Sequence, residues 1–294
     1  MHKPVLLNEV LNILNLKQGD VVLDGTVGGG GYLNAICQRV GKEGRVIGLD
    51  QDNSALEKIQ KETGVCKRYL INENFRNLDK VLDELKIAQV DKIVFDLGLS
   101  SDQLENAGRG FSFQKDEPLL MTFRTDLGEE DLTALEIVNQ WEEQNLADII
   151  FGYGEERFAK RIAREICEAR KTKKIETTVD LVAIIQKAVP LWAQRKKGHY
   201  ATKTFQALRI TVNAEIESLK EGLKKGFEYL NSGGRMAVVS FHSIEDRTVK
   251  NFFREQKINQ RGKLLIRKPI TPSREEIINN SRARSAKLRV IEKI

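Results

Sequence analysis

Residues 21–34 read VVLDGTVGGGGYLN. A short apolar run, a turn packed with glycine and the start of a helical pattern follow one another. Four consecutive glycines, Gly28 to Gly31, exceed what a tight turn with positive φ requires. Close approach of the backbone to a ligand does require them, because a Cβ would collide with it. A dinucleotide fingerprint G-x-G-x-x-G needs its last glycine on the helix. Counted from Gly28 the sixth position is Leu33, so that pattern fails.

Working outward, strand and helix alternate over the first hundred residues. GRVIGLD (44–50), RYLINENF (68–75) and DKIVFDLG (91–98) read as further strands, with a polar helix near 53–62. Such a rhythm predicts a parallel, doubly wound sheet. It breaks at about 104. Up to about 200 apolar residues such as Leu132, Leu135, Val138, Leu146, Ile149, Ile162 and Ile166 recur at helical spacing, and Thr177 with Asp180 forms a helix start resembling a capping box. Leu208 to Leu230 then step by three or four, which predicts one long amphipathic helix stopped at Gly233 and Gly234. RMAVVSF (235–241), KLLIRKP (263–269) and AKLRVIEK (286–293) complete the strands, and 271–285 reads as an exposed loop. The expected architecture is an α/β core formed by 1–103 and 204–294, with an all-helical domain inserted at 104–203.

Asp24-x-Thr26-x-Gly28-x-Gly30 resembles the scheme of class I methyltransferases, which have a Rossmann-like core and bind S-adenosylmethionine (SAM). There an acidic side chain at the strand end helps hold the amino-acid part of the cofactor. Asp50 ends the second strand, where a carboxylate accepts both ribose hydroxyls of an adenosine. Asp96, Ser100, Ser101 and Gln103 follow the fourth strand and are placed to meet cofactor or substrate. SFHSIEDR (240–247) follows the fifth. A serine-hydrolase reading of it lacks the G-x-S-x-G elbow. A zinc site lacks ligands, since the only histidines are His2, His199 and His242 and there is no cysteine pair at metal spacing. No metal is expected, and SFHSIEDR reads as a substrate-side loop that grips a polar substrate or a neighbouring loop.

Composition narrows the class. No run of about 18 apolar residues predicts a membrane span, and residues 1–20 lack the plan of a signal peptide. Cys37, Cys66 and Cys167 lie far apart in sequence, so no disulfide framework is expected and a cytoplasmic location is the default. The net charge is +6, which is modest. Its distribution says more: basic residues concentrate in 163–174, 193–203 and 281–289. Such runs suit phosphate contacts or are solvated faces.

From end to end the chain resembles one family, the bacterial small-subunit ribosomal RNA cytosine-N4 methyltransferases (RsmH or MraW). The matching stretches include HKPVLLNEV (2–10), LDGTVGGGG (23–31), GLDQD (48–52), NFRNL (74–78), DLGLSSDQL (96–104), RGFSF (109–113), YGEERFAKRIA (153–163), TKTFQALRITVNAEI (202–216), SFHSIEDR and RSAKLRV (284–290). The resemblance implies SAM-dependent methylation of a cytidine N4 in the decoding region of small-subunit (16S) rRNA, on an assembled or late-assembling subunit. It implies cofactor contacts at Gly30, Gly31, Tyr32, Asp50, Phe75, Asp96 and Gln103, beside Asp24 and Gly28 from the motif. There are two departures. Position 32, usually histidine in the family, is tyrosine, a change that a backbone contact survives. The family's GPLDMRMD is EPLLMTFRTD (117–126) here.

Methyl transfer is an in-line displacement that rests on positioning of the acceptor nitrogen. Asp96, or the backbone carbonyls of 96–99, is the candidate acceptor of the N4 proton. Asp96 could equally contact only the adenine. Asn213 and His242 join it as catalytic candidates, with Ser243, for reading the base or its phosphate. The plain alternatives are an idle helix face for Asn213 and a structural cap for His242. Ser100, Ser240, Arg195, Lys196 and Lys197 complete the expected substrate contacts. An RNA-binding assembly factor that merely retains SAM stays open on sequence alone.

Overall fold

The computed structural model describes residues 4–62, 64–128, 131–195 and 198–294. Lys196 and Lys197 lie outside these ranges. Two compact units emerge: a sheet unit of Met1–Leu99 with Ile216–Ile294, and a helical unit of Ser100–Glu215.

The sheet unit begins α1 (Leu7–Leu14), β1 (Val21–Asp24), α2 (Gly31–Val40), β2 (Arg45–Asp50), α3 (Asn53–Gln60), β3 (Lys67–Asn72), a 3-10 turn at Phe75–Asn77, α4 (Leu78–Glu84) and β4 (Val90–Asp96). The helical unit holds α5 (Ser101–Asn106), α6 (Ala134–Gln140), α7 (Glu143–Gly152), α8 (Ala159–Arg170), α9 (Thr178–Ala188), α10 (Leu191–Gln194) and α11 (Thr202–Val212). The chain returns through α12 (Glu215–Tyr229), β5 (Leu230–Ser240), α13 (Ser243–Ile258), β6 (Gly262–Leu264), α14 (Arg274–Asn279), a 3-10 turn at Ser281–Ser285 and β7 (Lys287–Lys293). Among the described residues no helix is long and apolar enough to cross a membrane.

The strands form one sheet in the order β3-β2-β1-β4-β5-β7-β6. β1 to β5 pair in parallel, and β7 runs antiparallel between β5 and β6. Both faces are covered, which is why the strands read as continuous apolar runs. Successive residues feed opposite cores: Val22 and Val94 pack with Leu33, Ile36 and Ile59 on the face covered by α1, α2 and α3. Leu23, Ile93 and Phe95 pack with Leu82, Leu223 and Phe253 on the other. Each such buried side chain contributes about 1.5–3 kcal/mol. Chain order reverses between β1 and β4, so a ligand crevice is expected outside their carboxyl ends.

Four expectations need correcting. The predicted long helix is broken: α11 ends at Val212, and Ala214 takes φ 46° before α12 starts. Asn213 holds the break. Its Oδ1 accepts the Phe123 N–H at 2.8 Å, and its Nδ2 donates to the carbonyls of Met121 at 2.7 Å and Arg209 at 2.9 Å. Arg209 spans the break with a two-pronged bond to Glu215 at 2.7 and 2.9 Å. The return to the sheet unit therefore falls at 215/216, where sequence alone set it at 203/204, and the outward boundary falls at 99/100 against the expected 103/104. The expected loop 271–285 contains α14, whose start is capped by Ser273 Oγ accepting the Glu276 N–H at 3.1 Å. Finally, Cys37 and Cys66, expected to be unpaired, form a disulfide with Cα atoms 5.2 Å apart. Distance in sequence hid their meeting between α2 and the start of β3.

Candidate active site

Three strands end in a carboxylate at one edge of the sheet: Asp24 closes β1, Asp50 closes β2 and Asp96 closes β4. Asp24 is fully buried. Its Oδ1 accepts the Thr26 N–H at 3.1 Å, while its Oδ2 is buried with no partner. Burial pushes its pKa up to about 7, against the pull of the Thr26 N–H and with a push from the Asp50 charge. Asp50 accepts the Gly28 N–H at 2.7 Å on Oδ2 and the Asp52 N–H at 2.8 Å on Oδ1. Burial raises its pKa to about 6 even so. The Asp96 backbone N–H donates to Thr26 Oγ1 at 2.6 Å, but the carboxylate Oδ1 is buried without a partner. Burial, then the charges of Asp24 and Glu245, hold its pKa well above the usual carboxylate range.

The glycine turn lies beside them. Gly30, at φ 77°, precedes the first turn of α2 in a left-handed conformation. A Cβ on Gly31 would collide with the ring of Pro4, whereas one on Gly29 would meet no protein atom within 4 Å. Pro4 is thus folded over the turn. The buried Tyr32 hydroxyl donates to the Val5 carbonyl, and the Leu6 N–H donates to Glu276 Oε1 at 2.7 Å. Burial and the charges of Asp96 and Asp24 raise the Tyr32 pKa well above its ordinary value. Phe75 packs on Phe95 with ring centroids 5.0 Å apart.

These features test which ligand fits. Desolvated carboxylates with orphaned oxygens call for a cation and for hydroxyl or ammonium donors. A pyrophosphate would bring negative charge to one buried and two half-buried carboxylates and be repelled. SAM carries an ammonium, two ribose hydroxyls and a sulfonium, and it fits.

SFHSIEDR proves mainly a junction. Ser240 is buried and its Oγ donates to the Lys287 carbonyl at 3.4 Å, which turns it into the β5–β7 pairing and away from the expected substrate contact. His242 precedes α13 and its Nδ1 accepts the Glu245 N–H at 3.4 Å. Glu245 Oε2 accepts the N–H groups of Phe241 at 2.8 Å and His242 at 3.3 Å. With Nδ1 accepting, a neutral ring carries its proton on Nε2. That nitrogen is buried and makes no hydrogen bond, although Glu245 Oε1 lies 3.2 Å away. Asp246 pairs with Arg289 at 2.6 Å and Lys287 at 3.1 Å, tying α13 to β7. Burial pushes its carboxyl up, but the bonds and charges of Arg289 and Lys287 together outweigh it and hold it below the usual range. Ser243 is exposed at the first position of α13.

The sheet unit therefore gathers Asp24, Gly28, Gly30, Gly31, Tyr32, Asp50, Phe75 and Asp96. Thr26, Glu245 and the Pro4–Leu6 segment belong with them; sequence reasoning had Thr26 only as a small residue of the Asp24-x-Thr26-x-Gly28-x-Gly30 scheme and gave Glu245 and Pro4–Leu6 no role of their own. Thr26 stood inside the DGTVG pattern and Pro4–Leu6 inside HKPVLLNEV, so the signal was present. In the helical unit Ser100 and Gln103 form a reciprocal capping box on α5: Ser100 Oγ accepts the Gln103 N–H at 3.1 Å and Gln103 Oε1 accepts the Ser100 N–H at 3.0 Å. Asn213 is engaged at the helix break, and Arg195 is exposed at the end of α10.

The strand order, with its antiparallel seventh strand, and a crevice edge built for a cationic, hydroxyl-bearing ligand define a class I SAM-dependent methyltransferase. Within that class the match to one family model is complete, spanning residues 1–294: the chain belongs to the MraW methylase family. It is 43% identical over 309 residues to a Clostridium botulinum protein named ribosomal RNA small subunit methyltransferase H, covering 100% of this chain and 99% of that one. Among solved structures, an rRNA methylase from Streptococcus thermophilus aligns at a TM-score of 0.46 and 12% identity, covering 100% and 98% of the two chains.

Proposed function

We propose that this methyltransferase places the methyl group of SAM on the exocyclic N4 amine of a cytidine in the decoding region of 16S rRNA, within an assembled or late-assembling small subunit in the cytoplasm. The relatives' names supply the substrate class. The observation that carries the chemistry is the pair of buried, unpartnered carboxylate oxygens on Asp24 and Asp96 beside the glycine turn.

In this reading Asp24 takes the ammonium of SAM, Asp50 accepts its ribose hydroxyls, and Gly28–Gly31 and Phe75 line it. Bound there, SAM supplies an electrophilic methyl carbon. Cytosine N4 is a poor nucleophile because its lone pair conjugates with the ring. Asp96 Oδ1 accepts an N4–H, which localises that lone pair, and then takes up the proton. A carboxylate whose proton affinity is raised by burial suits that task. Thr26, holding the Asp96 backbone, sets the position of the carboxylate. The Nε2–H of His242 donates to the base or its phosphate. The target base leaves any stack to enter the crevice. Carbon-5 methylation would need a thiolate at a strand end. Cys37 and Cys66 are paired with each other, and Cys167 lies in α8.

Incubating the protein with labelled SAM and unmethylated small subunits, then digesting the RNA to nucleosides, tests the reading. Label in N4-methylcytidine is expected; label on carbon 5, or none, refutes it. Asp96→Asn should lower kcat by about 100-fold or more with little change in SAM affinity. Lost SAM affinity at normal kcat would assign Asp96 to the adenine.

A further inference from the structure

Within α8, Lys160 and Arg161 lie four and three residues before Arg164, so the three share one face, and Arg157 stands just before the N-cap Phe158. All four are exposed. The opposite face carries Ala159, Ile162, Ala163 and Ile166, all buried. Lys160 and Arg161 in the first turn oppose the helix dipole, and that turn holds no acidic residue. The nearby Glu156 is buried, where it accepts the Phe158 N–H at 2.8 Å. Among the described residues one ion pair touches the stripe, Arg164 to Glu143 at 3.8 Å, with both side chains largely in solvent. Such a pair holds little.

Beside the stripe lies an aromatic surface. Trp192 is 54% exposed and its neighbour Leu191 is 71% exposed. The Arg157 guanidinium sits 4.3 Å from the Trp192 ring centroid and 4.6 Å from that of Phe158. Phe158 meets Trp192 edge-on with centroids 6.0 Å apart. Arg195, also exposed, extends the positive charge past α10. A row of cations next to an exposed indole and a guanidinium is the chemistry that receives single-stranded RNA, phosphates on the cations and an unpaired base on the rings. An acidic protein surface would use the charges but not the ring.

We propose that this face of α8 and α10 is a track for a single-stranded segment of the ribosomal RNA. Phosphates run along Arg157, Lys160, Arg161 and Arg164, and one unpaired base packs on Trp192. The proposal rests on the rRNA reading of the function, and it adds a binding surface carried by the helical unit itself.

The test uses the full chain with all four cations changed to Gln, and separately Trp192→Ala and Trp192→Phe. If the fourfold variant does not fold, Lys160→Gln with Arg164→Gln replaces it. Affinity for unmethylated small subunits and for isolated 16S RNA is measured between 50 and 200 mM salt, with SAM affinity by calorimetry and steady-state kinetics in parallel. Each phosphate that is no longer neutralised should flatten the plot of log affinity against log salt by about 0.7, so the fourfold change should flatten it by up to about 3. Trp192→Ala should weaken RNA binding about tenfold, and Trp192→Phe should restore most of it. KM for subunits should rise while kcat and SAM affinity hold. A wild-type salt slope and KM in both sets would overturn the proposal. So would weaker binding to subunits alongside normal binding to isolated RNA, which would point to an acidic ribosomal protein instead. Failure of the function itself reads differently, as a wild-type protein that places no label on RNA.

Discussion

Lowering the pH from 8 to 5 should cost this protein its cofactor. Without ligand, burial holds the Asp24 pKa at about 7 and the Asp50 pKa at about 6, whereas both ionise near 3.8 when unfolded. Between these values the folded, ligand-free protein keeps protons that the unfolded chain has released. Its stability is therefore fullest below about pH 4 as far as these two groups are concerned, and declines as pH rises toward about 7. SAM reverses the balance, because its ammonium and sulfonium favour ionised carboxylates and its hydroxyls donate to them. Binding must then expel protons. At pH 5 a group with a pKa of about 7 is ionised in about one molecule in a hundred. If only the ionised form binds, affinity falls about 100-fold from its value at pH 8, or about 2.7 kcal/mol at 1.36 kcal/mol per pKa unit. Asp50 adds up to about tenfold. Calorimetry in buffers of different ionisation enthalpy measures both quantities. Near pH 6.5 about one proton should be released per SAM bound. Asp24→Asn should remove the larger part of the pH dependence. An affinity constant within twofold across this range, or proton uptake on binding, would refute the carboxylate account.

Asp50→Ala should weaken SAM binding at least tenfold, with about 1–3 kcal/mol lost from stability because the Gly28 and Asp52 N–H groups lose their acceptor; unchanged affinity in a folded variant would contradict this. Replacing Cys37, Cys66 and Cys167 by Ser should leave turnover near normal while lowering stability by about 3–4 kcal/mol through the lost cross-link of a 29-residue separation; loss of activity by several orders of magnitude, with a covalent RNA adduct in the wild type, would favour carbon-5 chemistry. Asn213→Ala should destabilise the protein by about 1–3 kcal/mol, since it strips partners from the Met121 carbonyl and the Phe123 N–H, and should leave SAM affinity untouched. A denaturant series and calorimetry read both effects.

The central strands were legible because both faces of the sheet are buried there, so β1, β2, β4 and β5 announce themselves as apolar runs, whereas β3 at the edge has no buried residue and reads more weakly. The carboxylates were legible because they end those strands. Side-chain direction was not. Ser240 turns toward Lys287, and Asn213 toward Met121 and Phe123, partners 47 to 92 residues away in the chain. The helix break is hidden for the same reason. The apolar period runs on through Ala214 because both helices keep a buried face, and a single left-handed residue, costing about 1–2 kcal/mol, leaves no mark on that period. α14 escaped notice because it buries no residue; only its capping serine spoke for it. His242 as a cap lies outside the usual Ser, Thr, Asp and Asn repertoire.

The bond from Leu6 to Glu276 spans 270 residues of the chain. It sets an order of events during synthesis. Residues 4–6, which cover the glycine turn, are made early. Glu276, which fixes them, follows 270 residues after Leu6, and β7, which completes the far side of β5, follows Glu276. Until then the buried Leu6 N–H lacks its acceptor, Asp246 lacks Arg289 and Lys287, and one edge of β5 is unpaired. The cofactor edge is thus finished only after β7 has been made, however early its glycine turn and carboxylates are in place.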